Sequence, residues 1–431
     1  MKKISYNQCL KEMFALGRFG IKLELSTIQG ILSRLGLVRP TFKAVHLAGT
    51  NGKGSTAAYC ADLLRQSGFK TGLYTSPHLI KFNERFSING KDVSDQDIVE
   101  AYLAVKKADT GERQATFFEI ATAIGLYLFH REKVDWAVME TGMGGRLDAT
   151  NILEPQVTII TNISMEHTDY LGTTIEAITR EKGGIIKENT PVITAIRQNA
   201  ARDIIRSIAR EKAAPLYQHQ REFKTSIHSN GQFFDYLGMN QTWTGLKTGL
   251  AGQHQMENAS LALAAFELLM EDSAFKSSKP LSLEKIRESI YTTQWPGRLE
   301  YIKESPMVIL DGAHNLEAAA RLGTYLKDNL SDKKITLVIG ILNDKPYKEM
   351  LKSLVPHADT VIVTKAEIDR SLDPDILKNT VETLSDKKPI VIEKVAEAVE
   401  TAVKNASDLD AVCIAGSLYV AGEARKKLLT L

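Results

Sequence analysis

Short runs of apolar, often β-branched residues alternate along the chain with longer segments whose apolar positions recur at helical spacing. The first clear example predicts a strand over residues 42–48, a glycine-rich loop over 49–54, a helix over 55–66 and a second strand over 70–75. A strand, a glycine loop, a helix and a strand in this order are typical of the start of a parallel α/β sheet.

The same alternation continues toward the middle of the chain. Helical spacing recurs over residues 116–129, 175–182 and 256–270, and short apolar runs predict strands over 136–140, 157–162 and 191–194. Between residues 224 and 243 the alternation weakens and aromatic residues appear in short runs, which favours a hairpin. This part of the sequence therefore predicts a parallel-rich sheet with an added β-hairpin.

A proline–glycine turn over residues 295–298 precedes a second series of alternating elements. The strands predicted after it cover residues 308–310, 335–339, 360–363, 389–392 and 411–415. We expect α/β domains over residues 1–294 and 295–431. The predicted fold class is an N-terminal P-loop mononucleotide-binding domain with a parallel-rich sheet, followed by a smaller Rossmann-like α/β domain.

Composition excludes several classes of protein. The 431 residues are 43% hydrophobic and 25% charged with a net charge of +2, so no overall field attracts nucleic acid or a membrane. Cys9, Cys60 and Cys413 stand far apart, which argues against a disulfide framework and against a thiolate metal site. We find no signal-peptide pattern and no apolar run of membrane-spanning length, so we expect a cytoplasmic protein.

The glycine loop has the chemistry of a phosphate site. Its backbone N–H groups can point at one phosphate and the following helix adds its positive end, while Lys53 offers a mobile cation and Ser55 a hydroxyl for Mg²⁺. Gly54 separates Lys53 from Ser55, so the strict Walker pattern is not matched. A glycine turn with an incidental lysine is the alternative, and the strand before and helix after the loop argue against it.

Three further residues lie at or near the ends of predicted elements of the same domain. Glu140 ends a buried strand, where an acid faces the ligand crevice of a parallel sheet and suits Mg²⁺; a helix cap or a pair with Arg146 is the alternative. His167 follows the next strand, and a structural role is as plausible there as a functional one. Lys182 ends a helix, where a solvated lysine is the ordinary interpretation.

The second predicted domain repeats this arrangement. Asp311 and its neighbours follow one strand, and residues 343–345 and 415–419 follow two others. Asp311 could bind a ribose or a water near magnesium, and Asn315 is equally suited to cap a helix. Three polar strand ends on one sheet predict a common rim, which would face the phosphate loop if the two domains close on each other.

A set of motifs in a fixed order runs over nearly the whole chain and covers residues 49–56, 75–79, 82–85, 117–119, 142–151, 166–172, 181–182, 295–300, 311–315 and 416–419. In this order the motifs resemble those of the folylpolyglutamate synthase and dihydrofolate synthase family within the Mur ligase superfamily. The chain differs from the usual family pattern at Glu166, Gly183 and Leu316. Each motif is weak alone, and together in this order they are specific.

The resemblance implies a role for each candidate residue. Residues expected to hold the nucleotide are Asn51, Gly52, Lys53, Gly54, Ser55, Asn258, Arg298 and Asp311. Magnesium ligands, at two sites, would be Ser55, Ser76, Glu140 and His167, with Lys182 as a carbamylated lysine near the second metal. His314 and Ser417 would receive glutamate, and Lys53, Lys182 and His314 would be the catalytic group.

The function implied by the resemblance is an ATP-dependent ligase that adds L-glutamate to a folate, or to dihydropteroate, through an acyl phosphate. We expect a monomer. A cell-wall Mur ligase with the same chemistry on a UDP-sugar peptide is the nearest alternative, although Mur ligases have an added N-terminal domain. A P-loop switch or kinase is the alternative from another class, and would leave the motifs at Asp311 and Ser417 without a purpose. A non-catalytic binding protein fits the sequence least.

Overall fold

The computed structural model describes residues 4–19, 24–229, 231–272, 275 and 280–430. The chain forms two compact units, the first comprising residues 1–249 and 253–293 and the second residues 250–252 and 294–431. Residues 250–252 were expected in the first domain. They belong to the second unit, where Ala251 packs against the hydrophobic core.

Among the described residues of the first unit, eight strands form one sheet in the order β4-β3-β2-β5-β1-β6-β7-β8. The strands are β1 (Lys43–Ala48), β2 (Thr71–Tyr74), β3 (Phe86–Ile88), β4 (Lys91–Asp92), β5 (Trp136–Glu140), β6 (Val157–Ile160), β7 (Val192–Thr194) and β8 (Leu216–Gln218). The parallel strands are β2, β5, β1, β6, β7 and β8, and β3 and β4 add an antiparallel edge.

The described helices of the first unit precede, connect and follow these strands. They are α1 (Tyr6–Ala15), α2 (Ser26–Arg34), α3 (Lys53–Gln66), α4 (Asp95–Ala108), α5 (Phe117–Arg131), α6 (Thr168–Leu171), α7 (Ile175–Gly183), α8 (Asn199–Glu211), α9 (His254–Leu269) and α10 (Leu283–Thr292). Helix α5 shows why the chain turns helical where it does. Thr116 accepts from the backbone of Glu119 and the Glu119 side chain reaches back to Thr116, a capping box that satisfies two free N–H groups.

The position of β1 within this sheet indicates where a ligand can bind. The next strand along the chain, β2, lies on one side of β1, and β6 lies on the other side. Ligands of open parallel sheets bind beyond the carboxyl ends of the strands, at the point where the strand order reverses. The loop after β1 lies at that point.

A separate small sheet occupies the predicted hairpin. In the described stretches 224–229 and 231–246, β9 (Lys224–Ile227), β10 (Phe234–Leu237) and β11 (Thr242–Leu246) pair antiparallel in the order β11-β10-β9. The hairpin prediction thus identified the pairing type and missed one strand. Helix α9 follows directly and packs against α3.

The described residues of the second unit hold a six-stranded sheet in the order β12-β13-β17-β14-β15-β16. Its strands are β12 (Glu300–Glu304), β13 (Met307–Leu310), β14 (Ile335–Ile339), β15 (Thr360–Lys365), β16 (Ile390–Lys394) and β17 (Ala411–Ala415), and its helices are α11 (Leu316–Asn329), α12 (Tyr347–Leu354), α13 (Pro374–Leu384), α14 (Val395–Asn405) and α15 (Leu418–Leu428). All pairs except β12 with β13 are parallel. The predicted two-domain α/β fold class is confirmed.

Strand β17 lies between β13 and β14. Since parallel strands end at the same edge, the loops that follow these three strands share one rim of the sheet. Asp311 and Ser417 lie in two of these loops. The predicted common rim is therefore present within this unit.

None of the described helices is both long and apolar enough to cross a membrane.

Candidate active site

The phosphate loop, residues 49–55, connects β1 to α3 and needs glycine at two positions. Gly49 has a φ of +146°, and a β carbon there would lie 1.9 Å from Thr161 Oγ1. Gly52 has a φ of +83°, and a β carbon there would lie 2.4 Å from Asn258 Oδ1. The positive φ and the crowding both exclude a side chain at these positions. The loop is therefore in close contact with Thr161, which follows β6, and with Asn258 on α9.

Neighbouring side chains fix the loop from the β6 side. The Asn51 N–H donates to Asn162 Oδ1 at 2.7 Å, and Thr161 Oγ1 donates to the carbonyl oxygen of Asn51 at 2.7 Å. Helix α3 begins at Lys53, so the first-turn N–H groups of Lys53, Gly54 and Ser55 lack acceptors within the helix. This preformed group of donors is suited to an anion.

Lys53 folds back over the loop. Its Nζ donates to the carbonyl oxygens of Gly49 at 3.1 Å and Thr50 at 3.2 Å, and lies 3.8 Å from Glu140 Oε1. The cation is thus held beside the donors of the loop and within reach of a carboxylate. A phosphate bound by the loop would meet both the N–H groups and this ammonium group.

Glu140 ends β5 and is buried, with Oε2 accepting from the Ser76 N–H at 3.1 Å. The alternative pairing of Glu140 with Arg146 is wrong, because Arg146 pairs with Glu181 at 2.9 Å. Glu140 therefore links the phosphate-loop lysine to the segment that follows β2. Ser76 is brought to the same place by this contact.

Lys182 is deeply buried rather than solvated, so the expectation of an ordinary helix-end lysine is wrong. Its Nζ donates to the carbonyl oxygen of Gly49 at 2.7 Å, and its side chain comes from the last turn of α7. Burial, and then the nearby charge of Lys53, lower the pKa of Lys182 to about 7. A substantial fraction of this amine is therefore neutral near physiological pH.

His167 follows β6, the strand next to β1. It has a φ of +51°, which is uncommon for a residue other than glycine, and its Nε2 lies 3.7 Å from Glu166 Oε1. No group of three or more His, Cys, Asp or Glu side chains suited to a metal occurs in the described parts of the chain. The assignment of magnesium ligands to Ser55, Ser76, Glu140 and His167 remains a prediction.

Asp311 organises the polar rim of the second unit. Its Oδ2 accepts from the Leu299 N–H and its Oδ1 from the Ala313 N–H, both at 2.8 Å. Burial raises the pKa of Asp311, and the nearby Arg298 opposes this shift. The Gly312 N–H donates to the carbonyl oxygen of Gly297 at 2.8 Å, so the loops before β12 and after β13 are held together here.

His314 and Ser417 lie on this rim in different settings. His314 Nδ1 is 2.8 Å from the carbonyl oxygen of Gly312. Ser417 is buried and caps α15, accepting from the Val420 N–H at 3.1 Å. Asn315 caps α11 by accepting from Ala318 N–H at 2.9 Å, which confirms the capping interpretation.

The sequence interpretation overlooked a buried carboxylate in the first unit, Asp148, whose charge acts on Lys182. Asp148 Oδ2 accepts from the N–H groups of Gly142 and Met143, each at 2.9 Å, and its Oδ1 accepts from Thr150. Burial raises the pKa of Asp148. The signal was an acid shortly after a glycine-rich turn, a position from which a side chain can fold back onto the turn's N–H groups.

Two protein-family models together match most of the chain. The Mur ligase middle domain matches residues 47–266, and the Mur ligase glutamate ligase domain matches residues 297–418. The fold and the two matched domains thus define a ligase of the Mur type.

The dihydrofolate synthase/folylpolyglutamate synthase of Bacillus subtilis (strain 168) is 36% identical over 420 residues, covering 95% of this chain and 96% of that protein. The structure of E. coli FolC in complex with DHPP and ADP has a TM-score of 0.89 at 30% identity, covering 98% of each chain. A bifunctional folylpolyglutamate synthase/dihydrofolate synthase with Mn, AMPPNP and L-glutamate bound has a TM-score of 0.87 at 30% identity, covering 100% of each chain. The chain belongs to the folylpolyglutamate synthase/dihydrofolate synthase family, whose members are ATP-dependent ligases.

Proposed function

We propose that the protein couples L-glutamate to a folate with ATP as the energy source. The observation that supports this most directly is the convergence of Lys53, Lys182 and Glu140 on the phosphate loop. Relatives of known name and structure bind ADP, AMPPNP, DHPP and L-glutamate, and their chains match this one from end to end.

The chemistry needs a leaving group that a carboxylate lacks. The terminal carboxylate of the folate attacks the γ-phosphorus of ATP, giving an acyl phosphate and ADP. The amine of glutamate then attacks the acyl carbon, and the tetrahedral intermediate releases inorganic phosphate and a proton to leave an amide. Lys53 and the N–H groups of the loop stabilise the charge that develops on the transferred phosphoryl group.

Magnesium fits the donors on the first unit. Mg²⁺ keeps several waters and phosphate oxygens, so few protein ligands are needed, and we propose oxygen donors from Ser55, Ser76 and Glu140 together with the imidazole of His167. When bound at the two sites we propose, the metal neutralises negative charge on the phosphates and on the incoming carboxylate.

We further propose that Lys182 acts as its carbamate. A neutral amine attacks CO₂ to form N-carboxylysine and a proton, and burial keeps part of Lys182 neutral. The product is an anion where the lysine would otherwise repel Lys53. That change of sign favours binding of a cation near the loop.

In the second unit, we propose that Arg298 and Asp311 contact ATP and that His314 and Ser417 contact glutamate. Asn51, Gly52, Gly54 and Asn258 complete the nucleotide set in the first unit. We propose a cytoplasmic monomer, consistent with its free buried cysteines.

The proposal is tested by offering the purified protein ATP, glutamate and, in parallel, tetrahydrofolate, dihydropteroate or a UDP-sugar peptide. We expect ADP release that requires both an acceptor and glutamate. Release with neither would indicate a nucleotide switch, and release only with a UDP-sugar peptide would indicate a cell-wall ligase. The dihydropteroate arm decides whether dihydrofolate synthesis accompanies polyglutamylation, as the name of the B. subtilis relative suggests.

A further inference from the structure

His219, which follows β8, and Thr225 on β9 contact the two flanks of Asn258 on α9. Thr225 Oγ1 donates to Ser260 Oγ at 2.7 Å, two residues after Asn258. His219 Nδ1 lies 3.6 Å from Glu257 Oε2, one residue before it. Asn258 itself faces the phosphate loop.

His219 is itself fixed to the main sheet. The His219 N–H donates to the carbonyl oxygen of Thr194 at 2.8 Å, and His219 Nε2 lies 2.7 Å from Thr225 Oγ1. The His219 side chain is only 4% exposed, so its contact with Thr225 is shielded from water. The salt bridge from Arg197 to Glu257 adds little, since Arg197 is 79% exposed.

The small antiparallel sheet also holds the other end of α9. Glu267 accepts from Tyr236 Oη at 2.6 Å, from the Met239 N–H at 3.1 Å and from the Gln241 N–H at 2.9 Å. These bonds tie the β10–β11 turn to α9. The helix is therefore held at two points along its length, and its first turns have little freedom to move away from the loop.

Asn258 depends on that placement. Its Oδ1 lies against the α carbon of Gly52, and its Nδ2 donates to Gln255 Oε1 at 2.9 Å. A small rotation or shift of α9 would move the amide away from the loop. We propose that Thr225 and His219 are positioning residues for the nucleotide, which act by holding α9 so that Asn258 stays against Gly52. The inference rests on the proposed function, because it assumes that the loop binds ATP.

The test measures the Kd of ADP by calorimetry for Thr225→Val, Asn258→Ala and the double variant. Thr225→Val removes both hydroxyl contacts with little change of volume, and we expect a rise in Kd of about three- to tenfold. In the Asn258→Ala background the same substitution should change Kd less than about twofold, since the effects of coupled residues do not add. Additive effects, or no change in the single variant, would overturn the proposal.

Two controls separate this mechanism from a general loss of stability. Ser226→Ala alters the next, exposed residue of β9 and should leave the Kd of ADP unchanged. If Thr225→Val does not fold, Ser260→Ala removes the same hydroxyl pair from the α9 side and replaces it in the cycle. Lys53→Ala tests the site itself: if it binds ADP as the wild type does, the proposed function fails. If it loses ADP while Thr225→Val does not, only the positioning role fails.

Discussion

Lys182 Nζ donates to the carbonyl oxygen of Gly49, 133 residues earlier in the chain, and Lys53 Nζ donates to the same oxygen. Two ammonium groups that share one acceptor repel each other, and burial penalises the charge on Lys182 further. Both effects lower the pKa of Lys182 to about 7, so this amine is partly neutral beside the loop near pH 7.

The depressed pKa of Lys182 predicts a pH-dependent stability. In the folded protein Lys182 loses its proton near pH 7, whereas in the unfolded chain it keeps it to about pH 10.4. Between these values the unfolded state binds more protons, so this group makes the free energy of unfolding rise with pH by up to about 1.4 kcal/mol per unit. Urea unfolding in CO₂-free buffer at pH 7, 8 and 9 measures this pH dependence of the free energy of unfolding.

Lys182→Met is the matched comparison for that experiment, because it keeps the length of the side chain and removes the titration. We expect the variant to be more stable than the wild type at pH 7 and the difference to shrink as the pH rises. Parallel pH profiles for the two proteins would contradict the shift.

Lys53→Ala should reduce turnover strongly. The substitution removes the cation beside the loop, and losing one such group at a developing charge lowers kcat by about 10²- to 10³-fold. ADP release in the presence of glutamate and a folate measures the effect. Lys91→Ala, on the exposed strand β4, is the control and should retain full activity. Near-normal ligation by Lys53→Ala would exclude the proposed role.

Gly52→Ala should weaken nucleotide binding through two effects, backbone strain and the displacement of Asn258. Alanine at a positive φ costs about 1 kcal/mol or more, and here its β carbon would also displace Asn258. Gly68→Ala isolates the first effect, since Gly68 has a φ of +90° and nothing lies within 4 Å of its β position. Equal Kd values for ADP in the two variants would show that contact with Asn258 does not matter.

Ser417→Ala separates a structural role from a binding role. Loss of the cap on α15 should lower stability by about 1 kcal/mol, as should Asp373→Ala at the cap of α13. If Ser417 also contacts glutamate, only Ser417→Ala raises the KM for glutamate. Thermal unfolding and steady-state kinetics on both variants distinguish the two roles, and an unchanged KM would assign Ser417 to capping alone.

Much of the fold could be predicted because buried parallel strands are continuous apolar runs. The bounds of β5, β14 and β17 agree with the prediction residue for residue. Helix α3 begins two residues before the predicted start, at Lys53, because Gly54 looks like a loop residue although its backbone is already helical. Glycine has no side chain that would indicate on which side of a helix boundary it lies.

The site could be predicted only in part, because the sequence does not show how deeply a side chain is buried. Glu140 and Lys53 stand next to obvious sequence signals. Lys182 does not, since its burial depends on how α7 packs against the loop after β5, where Arg146 N–H donates to the Glu181 carbonyl at 2.7 Å. Position along a helix says nothing about depth, and depth is what changes the pKa of this lysine.

The contact between Gly52 and Asn258 joins the beginning of the first unit to its end. A growing chain that has emerged only as far as β8 already contains the phosphate loop but lacks the helix that lies against it. We therefore expect high nucleotide affinity to arise late in synthesis, once α9 has emerged and packed. Cellular ATP, which stabilises only the state that binds it, would then protect finished chains and leave truncated ones to proteolysis.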